Sequence, residues 1–527
     1  MEAVCLTQWT RRIQMKTIIP VLMVLAVTAV VTACGTNPVT GKKELQFIST
    51  EKEIQMGAQA YFPTRQVQGG DYVVNPSVTR YVQEVNNRLA AVSDRNLPFE
   101  IEIINSSVPN AWAMPGGKMA INRGLLTELN SEAELAAVLG HEIVHAAARH
   151  GAKSQERGML IQGGMLATQI AAQGSEYGSL IAGGAMLGAQ LVTTKYGRGA
   201  ELESDLYGME YMHRAGYNPQ AAIDLQQTFV RLSKGNEKSW IDGLFASHPP
   251  SQERVARNRE TANRLGGDNL DYGKERYRKA MAPLLEDNKA YTAADEAIKA
   301  AQAKDFPKAF SLINKAIKLQ PREPKFYGLK GDLSLNKKQF SDAIKNYDQA
   351  IALYPDYFAF HLQQGYAKRE QGDLQGALKA LEKSNQLLPT PNAQKALGDL
   401  ALTNGDKALA LQYYGLAANS QSAIGQSARV SIAELELERG PGKYIKTRVG
   451  LNSQGVVAVL VHNRSPLPVK NVEVVVAYFD ERGKQVSGKK NLTLPGSLAA
   501  NAQSTITTTM TNGQGLRVEV TRAVIIR

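Results

Sequence analysis

Cysteine is almost absent. Cys5 and Cys34 are the two in 527 residues, too few to staple a chain of this size, so a fold held by disulfides is excluded. Histidine is scarce as well, at seven, which gives weight to any two that stand at a meaningful spacing. Clustered charge of one sign is missing. The formal net charge is +12, but Lys and Arg are scattered beside Asp and Glu on helical segments. No RNA- or DNA-binding signature accompanies that charge, so no nucleic-acid partner is expected. Long uncharged runs occur in few places, which excludes a polytopic membrane protein. What is present, 43% hydrophobic and 21% charged residues, describes a globular chain whose length suggests roughly three domains.

The first uncharged run is "MKTIIPVLMVLAVTAVVTAC", residues 15–34, with Lys16 ahead of an apolar stretch that stops at Cys34. A positive start, an apolar run and small residues before a cleavage point make an export signal. The apolar stretch is marginal for a membrane span. Residues 1–14 fit poorly before such a signal, so translation is expected to start at Met15. The "VTAC" at residues 31–34 resembles the bacterial lipobox. That resemblance implies acylation of Cys34 and, with Gly35 where inner-membrane retention wants Asp, anchoring to the outer membrane facing the periplasm.

The expected domains are a lipoprotein signal peptide (1–33), a mainly α domain with a small β-sheet (34–270), an α-solenoid of repeats (285–430) and a small β-sandwich-like domain (441–527). In the second, Thr50 and Glu53 read as a capping box opening a helix. Val78, Tyr81, Val82, Val85 and Leu89 form one helical stripe. Phe99–Ile104 alternates like a strand, and two short extended pieces flank the turn Pro115-Gly116-Gly117. Ser131 and Glu134 form a further capping box. The second uncharged run, residues 158–194, has Glu176 as its single charge and reads as a lid over the site.

The solenoid is read from its period. Pro321, Pro355 and Pro389 recur every 34 residues, as do Phe306, Phe340 and Leu374, and Ala309, Ala343 and Ala377. This is the tetratricopeptide period, with small residues where paired helices cross. Beyond Gly440, β-branched alternation separated by Gly, Asn, Ser and Pro gives the antiparallel β domain.

The chemistry centres on "HEIVH", residues 141–145. Positions i and i+4 share a helix face, so His141 and His145 can hold one ion. Zinc takes imidazole nitrogens at about 2.0–2.1 Å and in catalytic sites keeps one of four positions open. Glu142 projects beside that face and is the expected general base. Downstream, "RGAELESDLYGMEY" sets Glu201 and Asp205 one turn apart. Glu201 completes a His-His-Glu set for one Zn2+ per chain, and Asp205 is placed to orient a ligand imidazole. Glu203, the rival ligand, points to the far side of that helix. His150 is half a turn out of phase with His141 and is expected to face away. His213, His361 and His462 are expected to be structural.

HEIVH followed by E-x-x-S-D resembles the HExxH and E-x-x-[AS]-D pair of the HtpX and CAAX prenyl protease superfamily. Arg198, "NPVTGKKEL" (37–45), "NAWAMPGGKMAINRGLL" (110–126) and "SHPPSQERVAR" (247–257) extend the likeness. The resemblance implies a zincin-like metallopeptidase domain over 34–270, zinc on His141, His145 and Glu201, Glu142 as general base, and a substrate strand beside Asn110–Met114. It also implies that His248 closes the metal site as a fourth ligand or gate. The implied partners are unfolded or stalled outer-membrane proteins and their assembly machinery, met through the repeats. The alternative is a chaperone or scaffold working through the repeats, with a latent or inactive metal site.

Overall fold

The computed structural model describes residues 34–159, 196–234, 243–267, 269–478, 490–510 and 516–526. The expected signal segment, and all but the first two residues of the 158–194 stretch, lie outside the described residues. Contacts divide the chain into two units. One comprises the described residues up to Leu333 together with Gln349–Tyr357, and the other comprises Ser334–Asp348 and the chain from Phe358 onward.

The first unit opens with a short antiparallel ribbon, β1 (Cys34–Thr36) and β2 (Lys43–Leu45). Helix α1 (Thr50–Val67) follows, but its N-cap is Ser49, whose Oγ accepts from the Lys52 amide. The expected Thr50–Glu53 box is not formed, because the Glu53 carboxylate is buried against Arg95 and Arg149 instead. In α2 (Pro76–Ala90), Val78, Val82, Val85 and Leu89 are buried, and each such side chain contributes about 1.5–3 kcal/mol. They pack under a sheet of order β3 (Glu100–Ile104), β5 (Lys118–Asn122), β4 (Ala111–Ala113). β3 runs parallel to β5 and β4 antiparallel to it. The hairpin between β4 and β5 turns at Gly116 and Gly117, both with positive φ, where a Cβ on Gly116 would meet the backbone of Ile54.

Helix α3 (Glu132–Ala147) is buried along its whole length. Ser131 caps it by accepting from the Glu134 amide, while the Glu134 carboxylate accepts from the Asn130 amide, one residue earlier than an ideal capping box. Helix α4 (Arg198–Arg214) crosses α3 where Gly140 faces Gly208. A Cβ on Gly208 would stand 3.0 Å from the His141 amide nitrogen. Helices α5 (Gln220–Lys234) and α6 (Gln252–Leu265) close the domain.

The stretch between the expected peptidase and repeat domains is the first half of one helix, α7 (Lys274–Gln302). Its Tyr277, Met281, Leu284 and Tyr291 belong to the same core as α2 and α3. Tyr277 donates to the Leu126 carbonyl at 2.6 Å, and Tyr291 donates to Glu323, which also accepts from Asn105 of the sheet. Helix α8 (Phe306–Leu319) packs antiparallel to α7, and α9 (Pro324–Asn336) starts after Glu323.

Beyond α9, α10 (Phe340–Leu353), α11 (Phe358–Gln371), α12 (Leu374–Leu387), α13 (Pro391–Thr403), α14 (Lys407–Ala418) and α15 (Ala423–Glu436) continue the helical repeats. Ala343 and Ala377, read from the period, are fully buried, as is Ala410, and Gly365 and Gly398 lie against Leu381 and Tyr414. The chain ends in two antiparallel sheets. β6 (Ile445–Leu451), β7 (Val457–Asn463) and β11 (Gln503–Thr507) form one. β8 (Val469–Tyr478), β9 (Lys490–Thr493), β10 (Ser497–Leu498) and β12 (Leu516–Ile525) form the other. Their alternating side chains share a core of Val459, Val461, Val474, Val476 and Ile506.

Candidate metal centre

His141 and His145 emerge from one face of α3, and Glu201 reaches them from the first turn of α4 across the glycine crossing. His248 comes from a different direction. It ends a single helical turn, Leu244–Ser247, where its amide donates to the Leu244 carbonyl before Pro249-Pro250. Each of the four offers one donor atom, and these atoms lie within 4.8 Å of one another. All four residues are buried.

The edges of this group are short. His145 Nε2 is 3.0 Å from His141 Nε2, and His141 Nε2 is 3.3 Å from His248 Nδ1. Glu201 Oε1 is 3.0 Å from His248 Nδ1 and 3.4 Å from His145 Nε2. A tetrahedron with centre-to-corner distances of about 2.0–2.1 Å has edges of about 3.3–3.4 Å. Three imidazoles and one carboxylate therefore fit a four-coordinate divalent ion. Glu142 stands outside this set, with its Oε1 3.5 Å from His248 Nε2 and its Oε2 buried without a hydrogen-bond partner among the described residues.

With this geometry in place, comparison with known proteins is decisive. Residues 76–262 match Peptidase family M48, and residues 280–358, 329–385 and 362–424 match the Tetratricopeptide repeat. The chain carries a family M48 metallopeptidase domain followed by tetratricopeptide repeats. Among its relatives is a Beta-barrel assembly-enhancing protease of Yersinia pestis, 26% identical over 432 residues that cover 74% of this chain and 87% of that one. The protein of the same name from Escherichia coli (strain K12) is 28% identical over 242 residues, and here the chain spans about half of the relative, 48%. Mitochondrial metalloendopeptidase OMA1 of Schizosaccharomyces pombe is 30% identical over 230 residues, covering 42% of this chain and 65% of that one.

Around the donors of the M48 domain lies a shell of orienting groups. His141 Nδ1 donates to Asp205 Oδ1 at 3.0 Å, which fixes the ring with Nε2 toward the centre. Arg254, from α6, donates to both Asp205 oxygens at 2.6 and 2.7 Å and sits 3.0 Å from Glu201 Oε2. One buried cation thus fixes a candidate ligand and an orienting carboxylate together. The motif reading passed over Arg254. The available signal was its place three residues after Ser251, which caps α6 and so fixes that first turn.

His150 does not face away. The α3 helix breaks at Ala148 and Arg149, where Arg149 takes φ +64°, and helix resumes at His150 in a different phase. That left-handed residue is held by Glu53, the Ile48 carbonyl and Glu156. His150 Nδ1 consequently lies 2.9 Å from His145 Nδ1, and His150 Nε2 lies 3.1 Å from Glu203. With Nε2–H donated to Glu203, His150 Nδ1 accepts from His145 Nδ1–H, and His145 Nε2 keeps its lone pair toward the centre. Glu203 is outside the donor group and, by accepting from His150, orients the imidazole that faces His145. Tyr196 stacks on His145 at 3.9 Å between ring centroids.

Although burial opposes it, Glu201 and Asp205 raise His141 to about 9, so a metal ion there has to displace a proton from it. Burial pulls His145 well below the usual histidine range, so it is neutral, the form that ligates. Burial raises Glu201, but His248 and His141 outweigh it and hold the carboxyl well below its usual range. Glu142, by contrast, is raised by its burial. Arg198 is exposed and paired with Glu253, away from the donors. β4 is an edge strand by pairing, yet Ala111, Trp112 and Ala113 are all buried.

Proposed function

We infer that this metallopeptidase is a zinc-dependent endopeptidase, exported to the periplasm, tethered to the outer membrane through acylated Cys34, and active in the assembly or quality control of outer-membrane proteins. The observation that carries the catalytic part is the buried group of His141, His145, Glu201 and His248 with Glu142 alongside. The name shared by the Yersinia pestis and Escherichia coli relatives, Beta-barrel assembly-enhancing protease, supports β-barrel proteins as the substrate class.

A bound zinc ion supplies a Lewis acid that polarises a carbonyl and makes a nearby water more acidic. His141, His145 and Glu201 would hold it, with Asp205 and His150 fixing the two imidazoles and Arg254 anchoring Glu201. Glu142, raised by burial and without a hydrogen-bond partner at Oε2 among the described residues, takes the proton from the attacking water and returns it to the departing amine. A substrate strand adds to β4 and is held through main-chain hydrogen bonds, so recognition there is weakly sequence-selective. The repeats recruit unfolded or stalled proteins and their assembly machinery.

His248 occupies the corner that a catalytic zinc site leaves open, and the β4 edge is buried. Both features support a resting state that is closed until a substrate displaces His248. The same two features favour the second reading, a repeat-based chaperone or scaffold whose metal site stays shut.

Casein hydrolysis and zinc content of the full chain, measured beside Glu142→Gln, separate the readings. Loss of the base is expected to lower turnover about 10²- to 10⁴-fold with one zinc still bound. If the wild type binds zinc and neither it nor His248→Ala cleaves casein or an unfolded outer-membrane protein, the scaffold reading replaces the protease.

A further inference from the structure

Next to the candidate metal centre a cavity of about 40 Å³ runs between α3, α4, α5 and α6, with His141, Glu142 and His248 at its rim. Val138, Met212, Leu225 and Phe229 give it apolar walls. Gln226 also lines it. This side chain is 6% exposed, and its Oε1 is buried with no hydrogen-bond partner among the described residues. A buried acceptor left unsatisfied is costly, and although Ser204, Arg254 and Asn258 also line the cavity, none of the described residues donates to it.

We propose that this cavity is a specificity subsite that receives one of the two substrate side chains flanking the cut bond, and that Gln226 selects a short side chain carrying a hydrogen-bond donor. The proposal rests on the protease reading and adds the substrate preference to it. One water needs about 10–15 Å³ of such space, so the cavity holds roughly three water-sized groups. That suits Thr, Ser or Val and excludes Phe, Trp, Tyr and Arg. Between the isosteres Thr and Val, shape does not discriminate. The Thr hydroxyl donates to Gln226 Oε1, whereas Val buries that oxygen unpaired, so Thr is preferred.

The test digests unfolded outer-membrane protein with the full zinc-loaded chain, maps the cuts by mass spectrometry, and compares a Thr and a Val peptide at the enriched flanking position. Expected is depletion of aromatic and Arg side chains at that position and a Thr preference in kcat/KM of about three- to tenfold. Gln226→Leu should abolish or invert that preference while cleavage continues. Cutting without preference at either flank, or a Thr preference that survives in folded Gln226→Leu, overturns the subsite and leaves the protease reading intact. No cutting at all counts against the protease reading. In that case calorimetry of the same two peptides on Glu142→Gln protein decides the subsite. Tighter Thr-peptide binding by a similar factor upholds it, and equal or absent binding of both peptides overturns it. The Thr and Val comparison on the unmutated residue 226 needs no Gln226 variant to fold.

Discussion

His150 receives the one hydrogen that keeps His145 in the ligating tautomer, so its removal acts through another residue rather than on substrate. His150→Leu leaves His145 Nδ1–H without that acceptor. Zinc affinity is expected to fall about ten- to a hundredfold, read by competition with a chromophoric chelator. His150→Asn, whose amide oxygen can accept, should recover part of it. An affinity equal to wild type in the Leu variant would refute the role. The pair His141–His145 and the downstream Glu201 were legible because i, i+4 spacing is a local property of a helix. His150 was not, because the left-handed turn at Arg149 is imposed by Glu53 and the Ile48 carbonyl, which are about a hundred residues away in the chain. Arg254 was missed for the same kind of reason, since its partners Asp205 and Glu201 lie in another helix.

Helix α3 is the element on which the site depends, and two of its features are testable. It meets α4 at Gly140 and Gly208 with almost no room for a side chain. Gly208→Val is expected to cost about 1–3 kcal/mol in denaturant unfolding and to lower zinc content in the folded fraction, because Glu201 and Asp205 ride on the displaced helix. Unchanged zinc content would mean the crossing does not position them. At its first turn, Glu132 is buried and accepts from Tyr81, Tyr217, Arg88 and Arg276. Burial pushes its carboxyl up, but Arg276, Tyr81 and Tyr217 outweigh that and hold it below 4.5. A carboxyl depressed in the folded state contributes stability above its unfolded pKa, and that contribution is lost as pH falls through the folded value. Glu132→Gln should therefore lower Tm at neutral pH, by the equivalent of about 1–3 kcal/mol, and the gap to wild type should close below the usual carboxylate range. The alternation and stripes of α2, β3 and the terminal sheets were readable as local periodicity. The Thr50 box was misread because Ser49 offers an equally good cap one residue earlier, and Glu53 is taken by a distant ion pair.

For the whole molecule, the sequence announces the change from peptidase to repeats by a period, but a period says nothing about what the first repeat helix packs against. Here α7 completes the peptidase core, and Tyr291, Glu323, Asn105 and Asp287 join the two by hydrogen bonds. A chain cut after residue 270 exposes the surface that Tyr277, Met281 and Leu284 cover. It is expected to be less soluble and to unfold at lower temperature than one carried on to residue 357. Equal melting of the two would show that α7 is dispensable. The repeat columns themselves were legible, as the burial of Ala309, Ala343 and Ala377 illustrates. The account stands or falls on the four-donor centre closed by His248. X-ray absorption at the zinc edge of the loaded full chain, compared with His248→Ala, tests it most directly. The expected result is four nitrogen and oxygen neighbours with the scattering of three imidazoles in wild type, and two imidazoles with faster casein cleavage in the variant. Two imidazoles in both proteins would contradict a centre closed by His248.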